Sequence, residues 1–174
     1  QAMINGLNDY EEMMSVEEAE QYLRELSLTK LFGDWKKQNE KWLADNAKKE
    51  GVQVTESGLQ YKVIKEGNGE KPAAVDTVEV HYEGRLINDT VFDSSFQRGE
   101  PIKFCLAHVI PGWTEGLQLM SPGAEYELYI PHNLGYGEQG SRGTIDPYST
   151  LIFKVNLIKV IHPKAEEPKA AEAE

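Results

Sequence analysis

The feature that most constrains the fold of this chain is a change of hydrophobic period near Gly51. Before Gly51, apolar side chains recur at the spacing of an amphipathic helix. After it, apolar and polar residues alternate, as they do in strands that bury one face of a sheet. The chain is therefore expected to be α+β, with a helical segment ahead of an antiparallel sheet.

The helical segment is predicted to cover residues 1–50, with Gly51 as its stop. Ser15 followed by Glu18 fits a capping box at a helix start. A second helical stripe then contains Leu31, Trp35, Trp42, Leu43 and Asn46. Its large tryptophans need cover, because a short helical region buries little surface by itself. Either neighbouring short helices or a second subunit could provide that cover.

The alternating part is predicted to form one domain over residues 51–162. Its strand-like runs lie at 59–63, 78–82, 126–130 and 151–157, with turn residues between them. Between Gly112 and Met120 a short helix carrying Trp113 is expected to cross one face of the sheet. Residues 163–174 are rich in Ala, Glu, Lys and Pro and are expected to form a disordered tail.

Composition and charge exclude several classes of function. The chain has 18 basic and 29 acidic residues, a net charge of −11, so phosphate backbones repel it and nucleic acid is a poor partner. No apolar run is long enough for a membrane span. A single cysteine, Cys105, excludes an internal disulfide and a zinc ribbon. The four histidines are scattered without metal-ligand spacing.

Common catalytic motifs are also missing. The sequence contains no phosphate loop, no dinucleotide fingerprint and no His-Glu-x-x-His. Asp93-Ser94-Ser95 lacks the turn of a serine nucleophile and fits a turn or a helix cap. Aromatic residues instead lie at strand ends and beside turns: Tyr82, Phe92, Phe104, Trp113, Tyr136 and Phe153. They could form core, or line a pocket with Asp93, Arg98 and the tyrosine hydroxyls.

The order of the motifs carries a family resemblance. The chain contains Val-His-Tyr-Glu-Gly at 80–84, Phe-Asp-Ser-Ser at 92–95, Arg-Gly at 98–99, Val-Ile-Pro-Gly-Trp at 109–113, Gly-Tyr-Gly at 135–137 and Ser-Thr-Leu-Ile-Phe at 149–153. From about Gly51 to Ile161 it closely resembles the FK506-binding-protein (FKBP) family of peptidyl-prolyl isomerases. Residues 43–52 and 57–61 are similar to the bacterial subgroup related to macrophage infectivity potentiator, which has a helical N-terminal dimerisation region.

This resemblance implies a half-wrapped antiparallel sheet around a short α-helix, with a pocket between them. It assigns catalytic roles to Tyr82, Asp93 and Tyr136. Tyr136 would offer its hydroxyl to a substrate carbonyl, and Asp93 would be oriented by Tyr82 and Arg98. The implied substrate-binding residues are Phe92, Arg98, Ile102, Phe104, Val109, Ile110, Trp113, Ile145 and Phe153, with Trp113 as the pocket floor.

The implied function is non-covalent acceleration of X-Pro bond rotation during protein folding, with no cofactor and no metal. The implied partners are proline-containing polypeptides, macrolides of the FK506 and rapamycin type, and a second subunit through the N-terminal helices. The alternative is a binding or chaperone module that grips proline-containing or unfolded segments with little turnover.

The chain also departs from the family pattern. Ile102 replaces a common pocket phenylalanine, and Thr144 and Asp146 make the rim loop more polar, which affects macrolide affinity and substrate preference. The sequence begins with Gln1 instead of methionine, which favours the cell envelope over the cytoplasm.

Overall fold

The computed structural model describes residues 15–141 and 143–163. The chain divides into two compact units, residues 1–34 and 35–174. Helix α1 (Val16–Asn46) begins in the first unit and ends in the second. The predicted disordered tail lies outside the described residues from position 164 onward.

The first unit, where described, is the beginning of α1. The predicted capping box is confirmed, because Ser15 N donates to Glu18 Oε2 at 2.8 Å and Glu18 N donates to Ser15 Oγ at 3.2 Å. Large apolar side chains of this part are exposed to solvent: Val16, Tyr22, Leu23, Leu26 and Leu31. Leu31 was predicted to share a stripe with the tryptophans, but it is 74% exposed.

The second unit is built on a seven-stranded antiparallel sheet. Its strands are β1 (Val52–Val54), β2 (Gln60–Lys65), β3 (Thr77–Arg85), β4 (Val91–Ser94), β5 (Ile102–Cys105), β6 (Glu125–Ile130) and β7 (Leu151–Ile161). They are ordered β1-β2-β6-β7-β3-β4, and β5 pairs with the first part of β3. The unit also contains two short α-helices, α2 (Ser95–Arg98) and α3 (Pro111–Leu117).

Strand alternation places the core between the sheet and α3. On β3, Val78, Val80 and Tyr82 are buried, whereas the residues between them are only half-buried. Helix α3 lies very close to β6, because an added Cβ at Gly112 would come within 2.5 Å of the Ile130 side chain. The expected α+β class, a half-wrapped antiparallel sheet around a short α-helix, is confirmed.

The end of α1 packs against the sheet of its own unit. The rings of Trp42 and Tyr129 have centroids 5.6 Å apart, and Asn46 Nδ2 donates to Gln60 Oε1 at 2.9 Å. Gln60 Nε2 in turn donates to the Leu43 carbonyl at 2.9 Å. Trp42 is therefore covered by this sheet, which is neither of the two covers that the sequence suggested. The helical pattern gives no information about which strands lie beside it.

Helix α1 ends at Asn46, before the predicted stop. Gly51 instead lies in the turn that enters β1, with a φ of 83° that favours glycine. Within the described residues, no helical segment combines the length and the apolarity that crossing a bilayer requires.

Candidate active site

A cavity of about 340 Å³ opens in the second unit. The residues that line it are Tyr82, Phe92, Asp93, Phe104, His108, Val109, Ile110, Trp113, Tyr136 and Phe153. They come from β3, β4, β5, β7, α3 and the connecting loops. The surface is therefore mainly aromatic and aliphatic, with a few polar groups at defined points, which is typical of a small-ligand site.

Trp113 lies at the centre of the aromatic cluster. It belongs to α3 and is 4% exposed. Its ring meets those of Tyr82, Phe104 and Phe153 edge-on, with centroids 5.1, 5.2 and 5.2 Å away. This geometry places the positive edge of one ring against the negative face of another, which is a favourable arrangement for aromatic pairs. The buried indole Nε1 of Trp113 has no hydrogen-bond partner among the described residues.

The wall formed by Phe92 and Phe153 depends on a glycine behind it. Their rings are perpendicular, with centroids 5.5 Å apart. A Cβ added at Gly84 would come within 2.5 Å of Phe92 Cζ and 2.7 Å of Phe153 Cε1. Glycine at this position of β3 therefore leaves room for both rings to pack against the strand instead of filling the cavity.

The polar edge of the cavity is a three-residue network. Tyr82 donates its phenolic hydrogen to Asp93 Oδ2. Arg98 Nη1 donates to Asp93 Oδ1 at 2.6 Å, and Arg98 Nη2 donates to the Tyr82 hydroxyl oxygen at 3.1 Å. Arg98 is positioned by α2, whose first turn is capped by Ser94 Oγ. The network fixes the carboxylate of Asp93 at the cavity edge.

The network also fixes the protonation states. Burial, followed by the hydrogen bond to Asp93, raises the pKa of Tyr82 to about 12. Burial acts to raise the pKa of Asp93 as well, but the hydrogen bonds from Tyr82 and Arg98 and the guanidinium charge outweigh it, so the pKa lies below its usual range. The site therefore presents a carboxylate and a neutral phenol at neutral pH.

Most of the sequence-predicted site residues meet at this cavity, but three do not line it. Arg98 contacts Asp93 and Tyr82 without forming part of the cavity surface. Ile102 pairs with Val80 in the sheet and packs on the core. Ile145 is 5% exposed and belongs to the core cluster.

His108 lines the cavity and was missed by the sequence analysis. It ends a short helical turn, Leu106–His108, directly before the predicted wall residues Val109 and Ile110. Its position next to those wall residues is the sequence signal for this role, whereas the spacing of the four histidines gives none. The described residues contain no group of His, Cys, Asp and Glu side chains suited to hold a metal ion.

Two family models match the chain. Residues 68–158 match the model described as FKBP-type peptidyl-prolyl cis-trans isomerase, and residues 1–63 match the model of the domain amino terminal to it. The first match contains every residue that lines the cavity.

Individual proteins are also similar. The FKBP-type 22 kDa peptidyl-prolyl cis-trans isomerase of Escherichia coli strain K12 is 55% identical over 121 residues, which cover 70% of this chain and 59% of that protein. Outer membrane protein MIP of Legionella longbeachae is 49% identical over 125 residues, 72% of this chain and 54% of that protein. The crystal structure of FkpA from Escherichia coli superposes with a TM-score of 0.75 at 38% identity, covering 92% of this chain and 81% of that one. The matched regions thus span little more than half of these two curated relatives.

Proposed function

This chain belongs to the family of FKBP-type peptidyl-prolyl cis-trans isomerases, and from that premise we propose that it is an enzyme accelerating rotation of peptide bonds that precede proline. The observation that carries the proposal is the aromatic cavity above Trp113 with a fixed carboxylate at its edge. Its substrates are proline-containing polypeptides that are still folding.

The cavity suits this reaction because no covalent bond has to be broken. Rotation about a peptide bond has a barrier of about 18–20 kcal/mol, since amide resonance is lost in the twisted state. The planar amide has more charge separation than the twisted one. A dry aromatic cavity therefore disfavours the planar ground state relative to the transition state, which is the differential binding that speeds a reaction.

The polar groups would orient the substrate and add to this effect. We assign catalytic roles to Tyr82, Asp93 and Tyr136, as the resemblance implied. Asp93 is the fixed charge nearest the bound amide, and Tyr136 provides a hydroxyl at the rim that can donate to a rotated carbonyl. Each tenfold gain in rate requires only about 1.4 kcal/mol of preferential stabilisation, so a few such contacts suffice.

The decisive test is a protease-coupled or NMR exchange assay on short X-Pro peptides. The chain should accelerate cis–trans exchange, and Phe104→Ala should abolish most of the acceleration by opening the cavity wall. Cys105→Ser is the matched control, because Cys105 is the next residue of the same strand but does not line the cavity. No acceleration by the unaltered chain would refute the proposal.

The second candidate is a binding or chaperone module with little turnover. The exposed apolar residues at the start of α1 favour it, because such side chains can hold unfolded segments. Suppression of client aggregation by an inactive Asp93 variant would support the module. If the Asp93 variant lost both the suppression of aggregation and the isomerase activity, the result would exclude the separate module and favour the enzyme.

We also propose a subunit contact, a competing ligand and a cellular location for this protein. The exposed side chains Tyr22, Leu23 and Leu26 form a contact with a second copy of the chain, which sedimentation equilibrium would detect as a dimer that Leu26→Glu dissociates. Macrolides of the FK506 and rapamycin type compete with peptide for the cavity. The protein acts in the cell envelope, in keeping with a relative named as an outer membrane protein, and cell fractionation tests this location.

A further inference from the structure

We infer that Trp35 and Asn39, on the last part of α1, are positioning residues for the active site. They hold the segment 146–150, and that segment holds the loop that carries Tyr136 at the cavity rim. The inference rests on the proposed isomerase function, because it assigns the helix a part in shaping that same site. All the residues involved belong to the second compact unit.

Asn39 makes the most deeply buried of these contacts. It is 2% exposed, and its Oδ1 accepts the backbone N–H of Thr150 at 2.8 Å. Its Nδ2 donates to the Trp35 carbonyl at 2.7 Å, which orients the amide so that the oxygen faces Thr150. Thr150 is itself 1% exposed, so its buried N–H depends on Asn39 for a hydrogen-bond acceptor.

Trp35 anchors the same segment one residue earlier. Its Nε1 donates to Ser149 Oγ at 2.9 Å, and Ser149 Oγ donates to the Asp146 carbonyl at 2.7 Å. The indole therefore fixes the direction of the serine hydroxyl, and the hydroxyl closes the turn from Asp146 to Ser149. Trp35 and Asn39, one helical turn apart on α1, thus define both the end of the turn from Asp146 to Ser149 and the entry to β7.

The turn from Asp146 to Ser149 contains a residue in an unfavourable backbone conformation. Tyr148 has a φ of 62°, which a bulky side chain rarely adopts and which persists only where surrounding contacts enforce it. Lys36 Nζ lies 5.0 Å from the centroid of the Tyr148 ring, and the His132 ring meets it edge-on at 5.3 Å. Helix α1 therefore contributes directly to holding this conformation.

Tyr148 connects the anchored segment to the rim. Its backbone N–H donates to the Gly137 carbonyl at 3.1 Å, next to Tyr136. Gly140 N donates to the Tyr136 carbonyl at 3.1 Å, and a Cβ at Gly140 would come within 2.3 Å of the Ile145 carbonyl oxygen. The loop of Tyr136 thus lies directly on residues 145–148. A shift of that segment must move Tyr136, whose side chain lines the cavity and is 41% exposed.

The test compares two buried asparagines of the same helix. Asn39→Ala releases the rim segment, whereas Asn46→Ala removes a contact to Gln60 of β2, away from the rim. Both should lower the unfolding midpoint. Only Asn39→Ala should lower kcat/KM on an X-Pro peptide, by about tenfold, because catalytic groups tolerate little displacement. Trp35→Phe replaces the indole with a smaller ring that has no N–H, so Ser149 Oγ loses this donor, and kcat/KM should fall to a smaller extent without unfolding of the chain.

A double-mutant cycle separates positioning from general destabilisation. The effect of Tyr136→Phe on kcat/KM should shrink in the Asn39→Ala background and persist in the Asn46→Ala background. Amide hydrogen exchange at Tyr148 and Gly140 should quicken in Asn39→Ala alone, whether or not the chain is an isomerase.

The inference would be overturned if the two asparagine variants lost kcat/KM equally. It would also be overturned if Asn39→Ala and Trp35→Phe both kept the wild-type kcat/KM. Unchanged exchange in Asn39→Ala would overturn it as well. An unaltered chain without isomerase activity would instead refute the proposed function, and the exchange measurement would still decide whether the helix positions the rim.

Discussion

Tyr82 and Asp93 share a direct hydrogen bond at the cavity edge, with the phenol as donor and the carboxylate as acceptor. Arg98 bonds to both groups, so neither can turn without breaking a contact to the other two. The carboxylate is thereby fixed before any substrate arrives. A preorganised charge of this kind needs no reorganisation during the reaction, which is how fixed groups lower barriers.

The first prediction concerns the fixed charge itself. Asp93→Leu should lower kcat/KM for an X-Pro peptide by about tenfold or more, because it removes the charge that we propose to act on the bound amide. The aromatic walls remain, so binding of an apolar competitor should change little. The measurement is a set of initial rates with a competition titration, and an unchanged kcat/KM would remove Asp93 from the mechanism.

The second prediction is a pH dependence. The pKa of Asp93 is lower than usual, so its anion persists as the pH falls, and activity is lost only when the pH passes below that lowered value. Between about pH 5 and pH 9, neither Asp93 nor Tyr82 should change charge. Arg98→Leu removes a donor and a positive charge and should move the acid limb of kcat/KM to higher pH. An acid limb in the same place would show that Arg98 does not hold the carboxylate.

The sequence was sufficient for the parts of the fold that follow a periodic pattern. Alternation along β3, β6 and β7 and the short helix around Trp113 could be predicted because each buries one face in a regular order. The motif order also brought together Trp113, Tyr82, Phe92 and Asp93, which do line one cavity.

What the sequence could not provide was contacts between distant segments. Asn39 lies between Trp35 and Trp42 at helical spacing, but a polar side chain there looks like a solvent-facing residue until Thr150 is beside it. Ile102 faces the core because of the register in which β5 pairs with β3, and Ile145 because of how its loop closes. The local sequence pattern determines neither the strand register nor the closure of the loop. Strands β1 and β4 are too short for their alternation to be distinguished from a turn.

The third prediction tests the glycine behind the cavity wall. Gly84→Ala should push the rings of Phe92 and Phe153 into the cavity, because the new Cβ would approach them within 2.5 and 2.7 Å. KM should rise several-fold, and the free energy of unfolding should fall by about 1–3 kcal/mol. Gly116→Ala is the control, since its Cβ would meet Leu128 of the core at 2.7 Å. A KM increase that is equal in both variants would mean that the wall is not specifically affected.

The fourth prediction concerns the stability contributed by Asp76, which directly precedes β3. Asp76 Oδ2 accepts the Ala73 N–H at 2.7 Å and lies 3.0 Å from His162 Nδ1. The bond from Ala73 holds the pKa of Asp76 below its usual range, against burial and with the help of His162. Because the pKa is lowered in the folded state, this stabilisation is present above about pH 4 and is lost as the pH falls.

Asp76→Asn should accordingly reduce the free energy of unfolding at pH 7 by about 1–3 kcal/mol. The difference from the wild type should narrow toward pH 3. Urea titrations over this pH range provide the measurement. Asp89→Asn, at an exposed carboxylate 3.6 Å from Arg85, is the matched control and should change stability by less than about 1 kcal/mol. A penalty for Asp76→Asn that did not vary with pH would contradict the assigned role of its charge.

The fifth prediction separates the role of Trp42 from that of Leu26, another apolar residue of α1. Trp42 packs on Tyr129, and Lys49 Nζ lies 5.3 Å above the Trp42 ring, so the indole is already covered within one chain. Trp42→Ala should lower the free energy of unfolding by about 2 kcal/mol through lost aromatic burial, and Trp42→Phe by less. Neither variant should alter the sedimentation coefficient or the mass at equilibrium.

Leu26→Glu, at an exposed position of the same helix, should show the reverse pattern. It should change the mass at equilibrium and leave the free energy of unfolding of a monomer almost unaffected. If Trp42→Ala dissociated an oligomer, the indole would have to contact a second subunit, and its packing on Tyr129 could not be its main role.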